Sequence, residues 1–174
     1  MTVPEGTQAH RTEAKRITAM RAAVLTVSDS RTEETDESGR YLREALAGAG
    51  HAVHDSALLP NDEARVRAQL VAWLGRDDLD LIIVTGGTGL GSRDRTIEVV
   101  RPLLEKELPG FGELFRMLGF QEQVGVAAIL SRATAGSAQG KLVVSLPGSL
   151  AACRLAMERI ILVEGAHALR ELRR

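Results

Sequence analysis

The chain has 174 residues, 44% of them hydrophobic, which suits one folded domain with one sizeable core. Its 22 basic and 23 acidic residues leave a net charge of −1, which argues against nucleic acid as a partner, because such proteins usually carry a basic excess. The lone Cys153 excludes a disulfide within the chain and suits a reducing cytoplasm, and no apolar run approaches the roughly 18 residues of a membrane helix, so no membrane partner is expected.

Residues 1–20 hold Pro4, Gly6 and mixed charge without periodicity or an apolar signal segment, and they read as a flexible tail before one domain over residues 21–174. Ala22–Val27 predicts a buried strand that ends in Ser28-Asp29-Ser30. Leu42, Ala45, Leu46 and Ala49 recur at helical spacing, so a helix is expected over about 37–49, with Gly50 as its stop. His51–Leu58 alternates in part and predicts a weaker strand near a sheet edge. After Pro60, the stripe Val66, Leu70, Trp73 and Leu74 predicts a second helix, with Asn61 or Asp62 as cap and Gly75 as stop.

Leu81–Val84 is four consecutive large aliphatic residues, the pattern of a strand buried on both faces. Thr85 ends it, and Gly86, Gly87, Gly89 and Gly91 follow. Asp94 and Thr96 are both acceptable N-caps for a helix beginning near Ile97, which Pro102 should kink or shorten. Phe111–Leu118 predicts a short helix after Pro109-Gly110. Val124–Leu130 and Leu142–Leu146 are expected as strands, joined by a stretch of small residues over 133–140. Ser149 should cap a long helix over about Leu150–Leu172. Its two apolar stripes, Cys153, Met157, Ile160, Ile161 and Leu155, Leu162, Leu169, suggest a second packing partner and hence a homo-oligomer. The element order makes a three-layer α-β-α domain, an α/β fold with a mainly parallel sheet.

Ligands of open parallel sheets bind beyond the C-terminal strand ends. Here those ends carry Ser28 and Asp29, Asn61 and Asp62, the run Thr85 to Gly91, Ser131-Arg132, and Pro147-Gly148-Ser149. Glycines let a ligand approach backbone N–H groups, which suits an anion. Gly86 to Gly91 has P-loop spacing, but Ser92 and Arg93 stand where Lys and Ser/Thr belong, and the dinucleotide pattern closes one residue early. The set fits a phosphorylated ligand with a divalent cation on oxygen ligands. Alone, each piece is ordinary: Asp29 a turn residue, Asp62 a helix-start acid, Arg132 a surface arginine, Cys153 core packing. His51 and His54 lie three apart on a strand and point to opposite faces, so they do not form a metal pair.

Jointly, Thr85-Gly86-Gly87-Thr88-Gly89, Arg93-Asp94 with Thr96, Pro109-Gly110-Phe111-Gly112-Glu113, Leu130-Ser131-Arg132 and Leu146-Pro147-Gly148-Ser149 resemble the MoaB/MogA family of molybdenum cofactor biosynthesis proteins, over roughly Ala22–Val163. Ser38-Gly39-x-Tyr41-Leu42, Arg67-Ala68-Gln69 and Phe115-Arg116-Met117-Leu118 tilt the resemblance towards MoaB. It implies a homotrimer or homohexamer that binds molybdopterin, a pterin dithiolene carrying a phosphate. MogA-type members adenylylate that phosphate with Mg-ATP and release pyrophosphate, and a downstream molybdate-inserting protein is an implied partner. Carried onto this sequence, the resemblance makes Asp62 and Asp94 catalytic, with Asp62 also the Mg2+ ligand. Asp62 matches only with Asn61 as an inserted residue, and Ile97 stands where MogA-type sequences often have proline. Ser28, Asp29, Thr85, Gly86, Gly87, Thr88, Gly89, Ser131, Arg132, Pro147, Gly148 and Ser149 are the expected substrate-binding set. The alternative reading keeps pterin binding without turnover, as a carrier or scaffold oligomer.

Overall fold

The computed structural model describes residues 19–174, so the expected tail falls, apart from its last two residues, outside the described residues. Met20 is already core, at 1% exposure. The strands are β1 (Arg21–Val27), β2 (Ala52–Leu59), β3 (Leu81–Thr85), β4 (Lys106–Glu107), β5 (Thr134–Ala138) and β6 (Lys141–Leu146), in one six-stranded sheet of order β2-β1-β3-β6-β5-β4. Strands β2, β1, β3 and β6 run parallel, while β5 is antiparallel to β6 and β4 antiparallel to β5. The register places Thr26 beside Thr85 and Thr85 beside Leu146, so three parallel strands end side by side.

Alternate side chains of the central strands feed two cores, as the pleat requires. Val24, Ile83 and Val144 face α1 (Glu37–Gly48), α4 (Pro109–Gly119) and the C-terminal helix. Leu25, Ile82, Val84 and Val143 face α2 (Glu63–Leu74) and α3 (Thr96–Val100). This gives the three layers. The caps are local chemistry: Asp36 accepts from Gly39 N at 2.9 Å, Asp62 from Arg65 N at 3.0 Å and Ser149 from Ala152 N at 3.2 Å. Pro102 acts as expected, since α3 gives way to the 3₁₀ turn Arg101–Leu103. No helix among the described residues is long and apolar enough to cross a membrane.

Three expectations need correction. Val124–Leu130 is not a strand: the chain forms a π turn (Phe120–Val124) and a 3₁₀ turn (Gly125–Leu130). Gly125 takes φ +56, which breaks extended backbone, and Val126 and Ile129 are 70% and 73% exposed. The strand lies instead in the small-residue stretch, as β5, with all five residues buried. Smallness is its purpose there, since a Cβ on Gly136 would lie 2.3 Å from the Lys106 carbonyl of β4. Second, neither Asp94 nor Thr96 caps α3; Arg95 holds that position without a capping bond, its side chain turned to Glu63. Third, both stripes of the last helix serve its own subunit. That helix runs as α5 (Leu150–Ala156), a π turn (Met157–Ile161) and α6 (Leu162–Leu172), and the π turn shifts the helical register. Cys153, Met157, Leu155 and Leu169 are all buried, and Leu162 packs against the same core.

Candidate functional site

At the common end of β1, β3 and β6 lies a cleft of about 630 Å³, lined by residues Thr26 to Arg31, Asn61, Gly86 to Gly89, Asp94, Leu130, Ser131 and Pro147 to Ser149. Its floor is a meeting of three backbones. Gly86 takes φ +93, and a Cβ there would lie 2.2 Å from the Val27 carbonyl; Gly148 approaches so closely that its own Cβ would lie 3.0 Å from Gly86 Cα. Gly87 takes φ +60, and a Cβ there would lie 2.4 Å from both Asn61 Oδ1 and Thr96 Oγ1. Only glycine fits both conformation and space at these two positions. The loops are then tied down: Gly86 N donates to Leu146 O at 3.0 Å, and Thr96 N to Gly87 O at 2.9 Å.

Most of the sequence-predicted set comes together here: Ser28, Asp29, Gly86, Gly87, Thr88, Gly89, Ser131, Pro147, Gly148, Ser149 and Asp94 all line the cleft. Asp29 Oδ1 accepts from Asn61 N at 2.9 Å and from Arg93 Nη2 at 3.2 Å. Backbone and side-chain hydrogen bonds from Asn61, with Arg93 nearby, hold its carboxyl below the usual range. Asp94 Oδ2 accepts from Gly91 N at 3.2 Å and so braces the glycine turn from within.

Three expected residues do not line it. Thr85 is fully buried, and its Oγ1 donates to the Pro147 carbonyl at 3.0 Å, joining two loops from behind. Arg132 donates to the Gly89 carbonyl at 3.0 Å and pairs with Glu98, so it braces the glycine turn from the β5 side. Asp62 is the N-cap of α2, and Asn61 lines the cleft in its stead.

Sequence reasoning missed Arg31 and undervalued Asn61. Arg31 Nη1 donates to Ser38 Oγ at 3.0 Å and to Asp36 Oδ1 at 3.4 Å, while its Nη2 donates to Gly148 O at 3.2 Å. The available signal was the cation three residues after Ser28, at a strand end already singled out. For Asn61 the signal was an ungapped reading after Pro60.

The residues present fit a Mg2+ ion that keeps water and substrate phosphates as ligands. The cleft carries the carboxylates of Asp29 and Asp94, whose Oδ2 and Oδ1 respectively accept no hydrogen bond among the described residues, while Asn61 Oδ1, also without a partner there, is buried against Gly87 and does not reach the cleft surface. They do not make an all-protein cage: among the described residues no three His, Cys, Asp or Glu side chains are placed to hold a metal.

Residues 23–167 match a family described as a probable molybdopterin binding domain. Over 163 residues the chain is 48% identical to molybdenum cofactor biosynthesis protein B of Halalkalibacterium halodurans, covering 94% of this chain and 95% of that protein. A crystal structure of a molybdenum cofactor biosynthesis protein B superposes with a TM-score of 0.86 at 45% identity, over 89% of this chain and 96% of the other. The tungsten cofactor synthesizing protein MoaB of Pyrococcus furiosus superposes with a TM-score of 0.79 at 38% identity, over 90% and 98% of the two chains.

Proposed function

Because the chain belongs to the MoaB/MogA family of molybdenum cofactor biosynthesis proteins, we propose that its cleft binds molybdopterin and adenylylates the ligand's phosphate with Mg-ATP. A phosphate oxygen attacks the α-phosphorus of ATP, the bond to the β-phosphate oxygen breaks, and pyrophosphate leaves. Both reactants are anionic, so the work asked of the protein is positioning and charge neutralisation. The cleft itself carries this reading: the strand-end loops Gly86 to Gly89 and Pro147 to Ser149 line it, and loop backbone without bulky side chains suits a phosphate. Asp94 and Asp29 would hold Mg2+, which would supply neutralisation of phosphate charge. The product would pass to a molybdate-inserting protein, in a cytoplasmic setting where ATP is at hand.

One observation favours the second reading, a carrier or scaffold that binds without turnover. A neutral amide, Asn61, faces the cleft, and the neighbouring carboxylate of Asp62 is occupied as a helix cap. Incubation with molybdopterin and Mg-ATP, followed by mass analysis for adenylyl-molybdopterin, separates the two. Turnover is expected, with Asp94→Ala cutting it at least about tenfold while pterin binding persists. Asp62→Ala distinguishes a cap from a metal ligand. As a cap it costs about 1 kcal/mol of stability at unchanged turnover. Lost turnover at unchanged stability would make its carboxylate catalytic. A wild type that binds the pterin and yields no product establishes the carrier.

A further inference from the structure

Arg31 is a cation built into the cleft wall. The three hydrogen bonds of its side chain go to Ser38 Oγ, Asp36 Oδ1 and the Gly148 carbonyl. Ser38 Oγ donates to that same carbonyl at 2.8 Å, so the arginine and the serine grip one peptide oxygen together. Behind them Asp36 is 4% exposed and fixed in turn, accepting from Thr26 Oγ1 at 2.7 Å and Gly39 N at 2.9 Å. Even the next residue is committed to this arrangement, since a Cβ on Gly39 would lie 2.1 Å from Asp36 Oδ2. The support is therefore rigid from the core outwards.

A guanidinium has five N–H donors in a fixed planar fork. These bonds use Nη1 and one hydrogen of Nη2. Nε–H and the second Nη2–H have no partner among the described residues. Those two lie along one edge of the plane, the edge suited to bidentate pairing with two phosphate oxygens. The side chain is 30% exposed and lines the same cleft as Gly86, Gly87 and Gly148. The other arginines near this rim differ. Arg132 is engaged by Glu98 and the Gly89 carbonyl, and Arg93 is 69% exposed against Asp29.

The geometry points to Arg31 as the anchor of the ligand's phosphate, binding it through Nε–H and Nη2–H and held in register by Asp36 and Ser38. The class of ligand is a terminal phosphomonoester or a pyrophosphate, and its identity as molybdopterin rests on the function proposed above. Asp36 offsets part of the arginine's charge, so the discrimination lies in two directed N–H bonds, which a lysine does not reproduce.

Calorimetric titration of wild type, Arg31→Ala, Arg31→Lys and Ser38→Ala tests this, with inorganic pyrophosphate, molybdopterin and a phosphate-free pterin as ligands, and thermal melts to check folding. Arg31→Ala should weaken pyrophosphate and molybdopterin at least about tenfold, the worth of charge-assisted bonds, and leave the phosphate-free pterin unchanged. Arg31→Lys should recover only part of the loss, and Ser38→Ala should lose less than Arg31→Ala. Unchanged pyrophosphate affinity in folded Arg31→Ala, or an equal loss for the phosphate-free pterin, overturns the assignment. If Arg31→Ala does not fold, Arg31→Lys decides, and wild-type affinity in it overturns the assignment as well. Arg31-dependent pyrophosphate binding without molybdopterin binding upholds the anchor and overturns the molybdopterin reading. Molybdopterin binding that ignores Arg31 does the reverse, and binding of neither ligand overturns both.

Discussion

A methyl group on Gly87 would overlap two oxygens at once, Asn61 Oδ1 and Thr96 Oγ1, each 2.4 Å from where it would sit. It would also have to hold φ +60, a conformation that costs an L-residue about 1 kcal/mol or more. Gly87→Ala should therefore lower stability by about 2 kcal/mol and weaken phosphate-ligand binding together, read by denaturant unfolding and titration. A variant as stable as wild type would reduce this glycine to an ordinary turn. Asp80 answers to a different force at the opposite end of the sheet. Burial pushes its carboxyl up, but hydrogen bonds from the Arg21 side chain and backbone, at 2.7 to 3.0 Å, and the pairing with Arg173 outweigh that and hold it at about 2. The folded value lies below the unfolded one, so the folded state binds fewer protons through that range. The stabilisation is fully present above about pH 4 and is lost as pH falls through about 2. Asp80→Asn should cost about 2 kcal/mol at neutral pH, with the gap to wild type closing between about pH 4 and pH 2. Urea unfolding across that range is the measurement, and a gap independent of pH would assign the loss to packing.

Elements show which sequence signals can be trusted and why. The aliphatic runs of β1, β3 and β6 were legible because a strand covered on both faces has no polar side to interrupt it. Val124–Leu130 carries the same composition, yet it forms turns with its large apolar side chains in solvent and only Ala128 buried, because composition does not say what covers a segment. β5 was hidden for the opposite reason, as Thr-Ala-Gly-Ser-Ala has no bulk to mark a core strand. Within the site, the strand-end loops were legible from topology alone. The grip on Gly148 was not, since Arg31 and its carbonyl partner lie 117 positions apart. At α2 a single step along the chain decides that Asn61 faces the cleft and Asp62 caps the helix. The glycine turn itself is held by neighbours on two sides, Asp94 from within and Arg132 from the loop before β5. Arg132→Ala should therefore speed amide exchange at Gly89 and Gly91 by about threefold or more, with slower core amides little changed. Unchanged exchange at those glycines would leave Arg132 as a surface ion-pair partner of Glu98.

Assembly is decided by the surface of the whole molecule. The last helix commits both its stripes to its own subunit and leaves Val163 exposed, and most of the large exposed apolar side chains lie elsewhere. Met117, Phe120, Val124, Val126, Ile129 and Leu130 are each about half exposed or more, and they follow one another along the end of α4 and the two turns after it. Beside α4 an apolar groove of about 340 Å³ runs between Leu108, Phe111, Leu114, Ile160 and Ala168. A concentration of this kind marks a surface for association, whereas isolated exposed apolar residues do not. We therefore expect a homo-oligomer, trimer or hexamer, with the threefold symmetry taken from the family resemblance. Its contacts would be largely apolar and persist in half-molar salt, since salt screens charges and leaves apolar burial intact. Sedimentation at low micromolar concentration should show no species near 18.7 kDa, the monomer mass. The double variant Val126→Asp with Ile129→Asp should release monomers, because each carboxylate would be desolvated at the contact. Leu130 belongs to this surface and also lines the cleft, so association would shape the cleft rim. The same double variant should then bind molybdopterin more weakly although neither substitution lies in the cleft. A wild type that sediments as a monomer rejects the assembly, and a monomeric variant with wild-type affinity separates assembly from binding.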